Sequence, residues 1–337
     1  MTRTTDFAIH LKKYLQVYLP GIQGLSQNTI YSYRDAMTLF LRYCEEREKI
    51  KIDKFSLDHF NKDRVLRFLE YLESDLKYSI SSRNQRLAAI HAFWQFLLRE
   101  DVSYLSLAQE ILNIPMKKKP KTIPEYLSLE GVKLLLQQPN TSKANEYRDL
   151  AIMTLMYDTG ARVQEIIDLK VGDIRTISPP TVTLHGKGDK TRCVPIMKET
   201  QAVIQHYLEY NDLLSVQNRS SPVFTNKYHE PFTRAGLTYI LNKYAQRANG
   251  MDKHYFPEHI YPHMLRHSRA MHLLQAGVNL IYIRDILGHV SVTTTEIYAR
   301  ADDETKRRAI EAASPTFDAS NKQWEDNPKL LEWLKSL

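Results

Sequence analysis

The chain has 337 residues, 43% hydrophobic and 25% charged, with only 11 Gly and 14 Pro, which excludes collagen-like and largely disordered classes and leaves room for two ordinary domains. Its formal net charge of +7 favours a polyanionic partner, because clustered Lys and Arg release counterions when they neutralise phosphates. No run of 18 apolar residues exists, and MTRTTDFAIHLKKYL lacks the order of a signal peptide, so a cytoplasmic protein with no membrane partner is expected. Cys44 and Cys193 form no CxxC pair and read as buried, reduced thiols.

Periodic apolar patterns predict a mainly α chain. A helix is expected over 4–18. From Ser26, SQNTIYSYRDAMTLFLRYCEE places Ile30, Tyr33, Met37, Phe40, Leu41 and Cys44 on one stripe behind a good N-cap. After a helix at 62–76, SISSRNQRLAAIHAFWQFLLRE repeats the pattern from Ser79, with Ile80, Leu87, Ile90, Phe93, Trp94 and Leu97 apolar. Its first turns, Ser81, Ser82, Arg83, Asn84, Gln85 and Arg86, are polar. With a helix at 103–112 this predicts an all-helical domain over 1–113.

A linker at 114–125 follows. Pro115, Pro120 and Pro124 forbid a continuous helix there, and Lys117, Lys118, Lys119 and Lys121 concentrate charge. The run is either a solvated connector or a strap along a phosphate backbone. The second domain spans 126–313. Within it TVTLHGKGDKTRCVPI reads as a β-hairpin whose turn presents Lys187 and Lys190, followed by helices near 198–214, 233–248, 262–276, 279–287, 291–299 and 303–313. A tail at 314–337 ends in NPKLLEWLKSL, another apolar helical stripe.

The stretch PHMLRHSRA sets His263 and His267 four apart with Arg266 between them. A zinc protease motif needs a glutamate where Met264 stands, and Arg266 would repel a cation held by the pair, so the metal reading fails. Arginine offers a planar fork of donors suited to phosphate oxygens. Further donors are Arg162, just after a helix-ending glycine in YDTGARVQE, His289 in ILGHVSV, and Lys187 on the hairpin. Tyr298 is the candidate nucleophile; His267 and His272 are expected to pack rather than react.

TGARVQE, HGKGDKTRCVP, HMLRHSRAMHLLQAGVNLIYIRDILGH and Tyr298, in that order, resemble the tyrosine recombinase (phage integrase) family, with an Xer-like layout over nearly the whole chain. The resemblance implies a helical SAM-like core-binding domain and a mostly helical catalytic domain with a small sheet. It assigns Arg162, Lys187, His263, Arg266, His289 and Tyr298 to catalysis, with Glu165 orienting the site. Relatives often carry a histidine two residues after the tyrosine, where this chain has Arg300. The implied reaction cleaves and rejoins DNA through a 3′-phosphotyrosyl intermediate, with no ATP, metal or other cofactor.

The expected partner is double-stranded DNA, which the two domains clamp; Lys117, Lys118, Lys119, Lys121, Ser82, Arg83, Asn84 and Arg86 are the expected contacts. Family members imply a homo-tetramer on two DNA sites, monomeric or weakly dimeric when free, with the tail exchanged between protomers, and a nucleoid-associated location. A type IB-like topoisomerase and a non-catalytic DNA-binding protein on the same fold are the alternatives.

Overall fold

Polar caps and buried apolar stripes account for the helices of the computed structural model, which describes residues 4–119, 124–186, 188, 190–250, 256–289, 291, 295–298, 332, 334 and 335. The chain forms two compact units, Met1–Lys121 and Thr122–Leu337. The first contains α1 (Asp6–Lys13), α2 (Gln27–Glu46), α3 (Lys62–Ser74), α4 (Ile80–Glu100) and α5 (Leu105–Leu112). Ser79 accepts from the Ser82 backbone N–H at 3.2 Å and so caps α4, an interaction worth about 1 kcal/mol. Leu87, Ile90, Phe93, Trp94 and Leu97 of α4 are fully buried with Phe40 of α2 and Phe68 of α3, each contributing roughly 1.5–3 kcal/mol.

The helix expected over 4–18 is not continuous. It widens after Lys13 into a π-helix, Tyr14–Ile22, that contains Pro20 and buries Tyr14 and Leu19. Proline supplies no N–H and its ring crowds the preceding turn, so a regular α-helix could not run through that position unbent.

The second unit contains α6 (Leu129–Leu136), α7 (Ala144–Thr159), α8 (Val163–Ile167), β1 (Ile174–Arg175), β2 (Thr181–His185), β3 (Thr191–Pro195), α9 (Lys198–Tyr210), α10 (Arg234–Asn249), α11 (Pro262–Gln275) and α12 (Leu280–Leu287). The predicted hairpin is β2 and β3, antiparallel with Val182 opposite Val194 and His185 opposite Thr191. The two-residue β1 adds a third strand on the β2 side. Val182, Leu184 and Val194 face the core, together with apolar residues of α7, α9 and α10. Cys193 points the other way and is exposed, contrary to expectation, because strand alternation turns its neighbours Arg192 and Val194 inward.

Lys187, Lys121, the helix at 303–313 and most of the tail lie outside the described residues. Among the described residues no helix is long and apolar enough to cross a membrane.

Candidate active site

Two glycines punctuate the backbone around the site. Gly160 ends α7 at φ 59° and Gly288 ends α12 at φ 65°, the left-handed region that disfavours a side chain. A Cβ at Gly160 would lie 2.6 Å from Leu287 Cδ2, and one at Gly288 would lie 2.9 Å from Arg192 Nη1. The first turn releases the chain into Arg162, the N-cap of α8; the second releases it into His289. The N–H groups of Gly288 and His289 close on the carbonyls of Asp285 and Arg284. That leaves the carbonyls of residues 286, 287 and 288 open at the negative end of the α12 dipole.

Three guanidinium groups converge there. Arg192 Nε donates to the Ile286 carbonyl at 2.8 Å, Arg266 Nη2 to the Leu287 carbonyl at 2.6 Å, and Arg162 Nη2 to the Gly288 carbonyl at 2.9 Å. Arg266 Nη1 also donates to the Gly160 carbonyl at 2.6 Å, which joins the two glycine turns. Arg266 is 3% exposed, and burial followed by the charges of Arg162 and Arg192 lowers its pKa to about 9, so it stays cationic at neutral pH.

Glu165 balances part of this charge. Its Oε1 accepts from Arg162 Nη1 and Arg192 Nη1, both at 2.8 Å, while its Oε2 accepts from the Arg162 backbone N–H at 2.8 Å and Arg192 Nη2 at 2.7 Å. Burial works against the carboxylate, but Arg192 and then Arg162 outweigh it and hold its pKa at about 2. Arg162, Lys190, Arg192, Arg284 and His289 line a cavity of about 420 Å³ open to solvent.

Tyr298 lies in a helical turn at 295–298 and is 1% exposed. Its hydroxyl is hydrogen bonded to His267 Nδ1 at 2.8 Å, and its ring stacks on His289 with centroids 6.4 Å apart. His289 Nδ1 in turn lies 3.0 Å from Thr295 Oγ1. The ring packs with Ala270, Met271, Ile283 and Leu287, so the phenol is covered, with its oxygen engaged by an imidazole. Burial raises its pKa and Arg266 opposes the rise.

The histidines around it are neutral. Burial lowers His267 to about 4, with His263 and Arg266 adding to the effect, and lowers His289 to about 3, with Arg266 and Arg162 adding to it. His263 is exposed on one side, and desolvation followed by Arg266 and Arg162 lowers its pKa as well. Arg162, Arg266, His289, Glu165 and His263 are therefore brought together, with Tyr298 against His289.

The expected DNA contacts divide differently. Arg83 is 5% exposed and donates to the Pro115 carbonyl at 3.3 Å, so it faces its own domain rather than a duplex. It stands one turn before Leu87 on the stripe that continues through Ile90 and Trp94, which turns it inward. Asn84 exchanges hydrogen bonds with the Lys117 backbone at 2.8 and 3.1 Å and anchors the linker. Arg86 is half-buried beside the Ser32 carbonyl, and Ser82 belongs to the cap of α4. Lys118 and Lys119 are exposed, whereas Lys117 pairs with Glu73 at 2.5 Å.

Residues 125–305 match the phage integrase family, and residues 11–101 match its N-terminal SAM-like domain. The chain belongs to the phage integrase family. This integrase-family chain is 33% identical over 292 residues to Tyrosine recombinase XerD of Halalkalibacterium halodurans, covering 86% of this chain and 92% of that one. It is 32% identical over 337 residues to y4rC of Sinorhizobium fredii, all of both chains. The crystal structure of XerH site-specific recombinase bound to difH substrate in a pre-cleavage complex superposes with a TM-score of 0.65 at 25% identity, covering 90% of this chain and 83% of that one.

The integrase-family chain is accordingly a tyrosine-type site-specific DNA recombinase, an enzyme of strand breakage and rejoining. The expected fold class holds: mainly α, a SAM-like amino-terminal domain and a small antiparallel sheet. Two residues of the site were not foreseen in these roles. Arg192 stands on β3 two residues before Val194, and an arginine on the inward face of a strand is a signal that a carboxylate waits beneath. His267 was expected only to pack, yet it holds the Tyr298 hydroxyl.

The neutral histidines make stability of this recombinase pH-dependent. For His267, His272 and His289 the folded-state pKa, about 4, 4 and 3, lies below the ordinary value of 6.5, so between these limits the unfolded chain binds more protons. Their contribution is complete above pH 6.5 and is lost as pH falls toward 4. Thermal unfolding should show Tm falling by on the order of 5 °C between pH 7 and pH 5, with a smaller fall in His267→Gln.

Proposed function

We propose that Tyr298 attacks a DNA phosphate held by Arg162 and Arg266, giving a 3′-phosphotyrosyl intermediate and a free 5′ hydroxyl. The support that carries this reading is the meeting of Arg162 and Arg266 on the adjacent carbonyls of Gly288 and Leu287, with the Tyr298 ring against His289. The bonds to carbonyls and Glu165 take two of the five N–H donors of each guanidinium, which leaves donors for non-bridging oxygens. Charge that accumulates on those oxygens meets fixed donors at no cost of reorganisation.

In the forward step the Tyr298 oxygen bonds phosphorus while the bond to the 5′ oxygen breaks. The phenolic proton passes to neutral His263, and Lys187, assigned from its place in the hairpin motif, protonates the departing oxygen. The phosphoester linkage is kept in the phosphotyrosine, so a 5′ hydroxyl from another strand reverses the step without ATP. His289 donates to the phosphate once the tyrosine has moved off it.

Double-stranded DNA is the substrate on this reading, with Lys118 and Lys119 as phosphate contacts in the linker and Lys121 in the same run. Replacing Lys118 and Lys119 by Ala should reduce the slope of log K against log salt by about 2, since each phosphate contact contributes about 0.9. Lys117→Ala should change it less, because Lys117 already pairs with Glu73. Filter binding between 50 and 200 mM salt, on the order used to define such slopes, measures both.

The working assembly is a homo-tetramer on two sites, with the 314–337 tail docked on a neighbouring protomer and the protein acting at the nucleoid in the cytoplasm. The apolar positions Leu330, Leu331, Trp333, Leu334 and Leu337 give that tail a face to bury, and a short helix rarely stands alone. The test uses duplexes from the DNA flanking the gene, each nicked near a candidate cleavage point. A covalent adduct plus joined product between two sites supports the reading. An adduct with plasmid relaxation and no joined product favours a topoisomerase, and binding without an adduct favours a non-catalytic protein.

A further inference from the structure

We propose that Arg192 is a positioning residue for strand cleavage: it neutralises Glu165 and thereby leaves the charge of Arg162 available to the scissile phosphate. The inference rests on Arg162 being a phosphate-binding group. Arg192 stands on β3, the strand paired with β2, and its side chain is 11% exposed. Three of its donors are engaged: Nε on the Ile286 carbonyl, and Nη1 and Nη2 on the two oxygens of Glu165. It touches the cavity wall, but its fork is closed on a carboxylate.

The division of Glu165 between two arginines is the informative feature. Arg192 takes the bidentate geometry, at 2.8 and 2.7 Å, whereas the Arg162 side chain contributes a single bond, from Nη1 to Oε1. Arg162 is consequently held at one edge, by Glu165 and by the Gly288 carbonyl, with its side chain 32% exposed toward the cavity. Without Arg192 the buried carboxylate would have Arg162 as its nearest cation and would claim the fork that a phosphate needs. Arg162, Arg192 and Arg266 against Glu165 sum to +2; loss of Arg192 leaves +1.

Arg192 also ties β3 to α12, since its Nε bond reaches the last turn that Arg162 and Arg266 share. The fit is close. A Cβ on Gly288 would meet Arg192 Nη1 at 2.9 Å and Cδ at 3.0 Å, so that glycine makes room for the guanidinium.

The test compares single-turnover cleavage of a nicked duplex with equilibrium binding of the same duplex, using the full chain. Arg192→Gln should cleave about 10- to 100-fold more slowly, with affinity within about threefold of the unmodified protein. Adding Glu165→Gln should restore part of the rate, because the competing carboxylate is gone. Arg192→Lys keeps the charge without the fork and should fall between the two. If Arg192→Gln melts below the assay temperature, the lysine variant carries the comparison, with slowed cleavage and retained affinity expected.

A wild-type rate in the variant that folds overturns the proposal, as does a double variant slower than Arg192→Gln alone. Failure of the unmodified protein to form any adduct overturns both this inference and the reading of Arg162 on which it depends.

Discussion

A chain carrying Tyr298→Phe is expected to bind duplex DNA within about twofold of the unmodified affinity and to form no covalent adduct. The substitution removes one oxygen. The phenyl ring keeps its place among Ala270, Met271, Ile283 and Leu287 and its stacking on His289. What is lost locally is the bond to His267, and an unpaired buried imidazole nitrogen costs about 1–3 kcal/mol. That cost lowers Tm without unfolding the protein, so loss of the adduct in a folded variant isolates the chemistry. Gel analysis of denatured cleavage mixtures, read beside a melting curve, checks both halves.

Arg266→Ala should have the next largest effect, slowing cleavage about 100- to 1,000-fold, the cost of removing a preorganised donor from a developing oxyanion. Arg266 also bridges the Gly160 and Leu287 carbonyls, so the alanine variant leaves two buried acceptors unpaired at roughly 1–3 kcal/mol each. A melting curve must therefore accompany the rate. Arg266→Lys does not rescue, because one ammonium cannot span both turns while also facing a phosphate. The rate at a temperature well below the variant's own Tm separates lost charge from lost packing.

Part of the site is legible in the sequence. Arg162 and His289 each follow a glycine that ends a helix, and such punctuation is visible in a sequence because left-handed backbone strongly selects glycine. His263 and Arg266 fall three apart on one helix, which puts them on one face. Their meeting was implied by the family resemblance rather than by spacing, since nothing local brings residue 162 to residue 288.

Arg83 illustrates the opposite case. Its polar neighbours suggested an outward face, but its helical register with Leu87 and Ile90 governs its direction, and register is the stronger signal on a long helix. The π-helix at Tyr14–Ile22 could not be anticipated, because its widened turns follow from accommodating Pro20 while burying Tyr14. The third strand, β1, has two residues, too few for alternation to register. The sheltering of Tyr298 was also hidden, as it depends on His267 and on the packing of α11 against α12.

The sheltered phenol bears on how the enzyme works. If Tyr298 is the nucleophile as proposed, its bond to His267 and its apolar cover hold it away from stray phosphates, and on that reading DNA binding frees it. The guanidinium groups need no such rearrangement, since their places are set by backbone carbonyls and Glu165. On this account the cationic cup is built in advance and the tyrosine is delivered to it.

The most direct measurement is the location of the phosphotyrosine. A trapped adduct made with a nicked duplex is digested with nuclease and protease, and the modified peptide is identified by mass spectrometry. The account predicts the nucleotide on Tyr298 and on no other residue; its attachment to Tyr282, Tyr261 or a serine would contradict it.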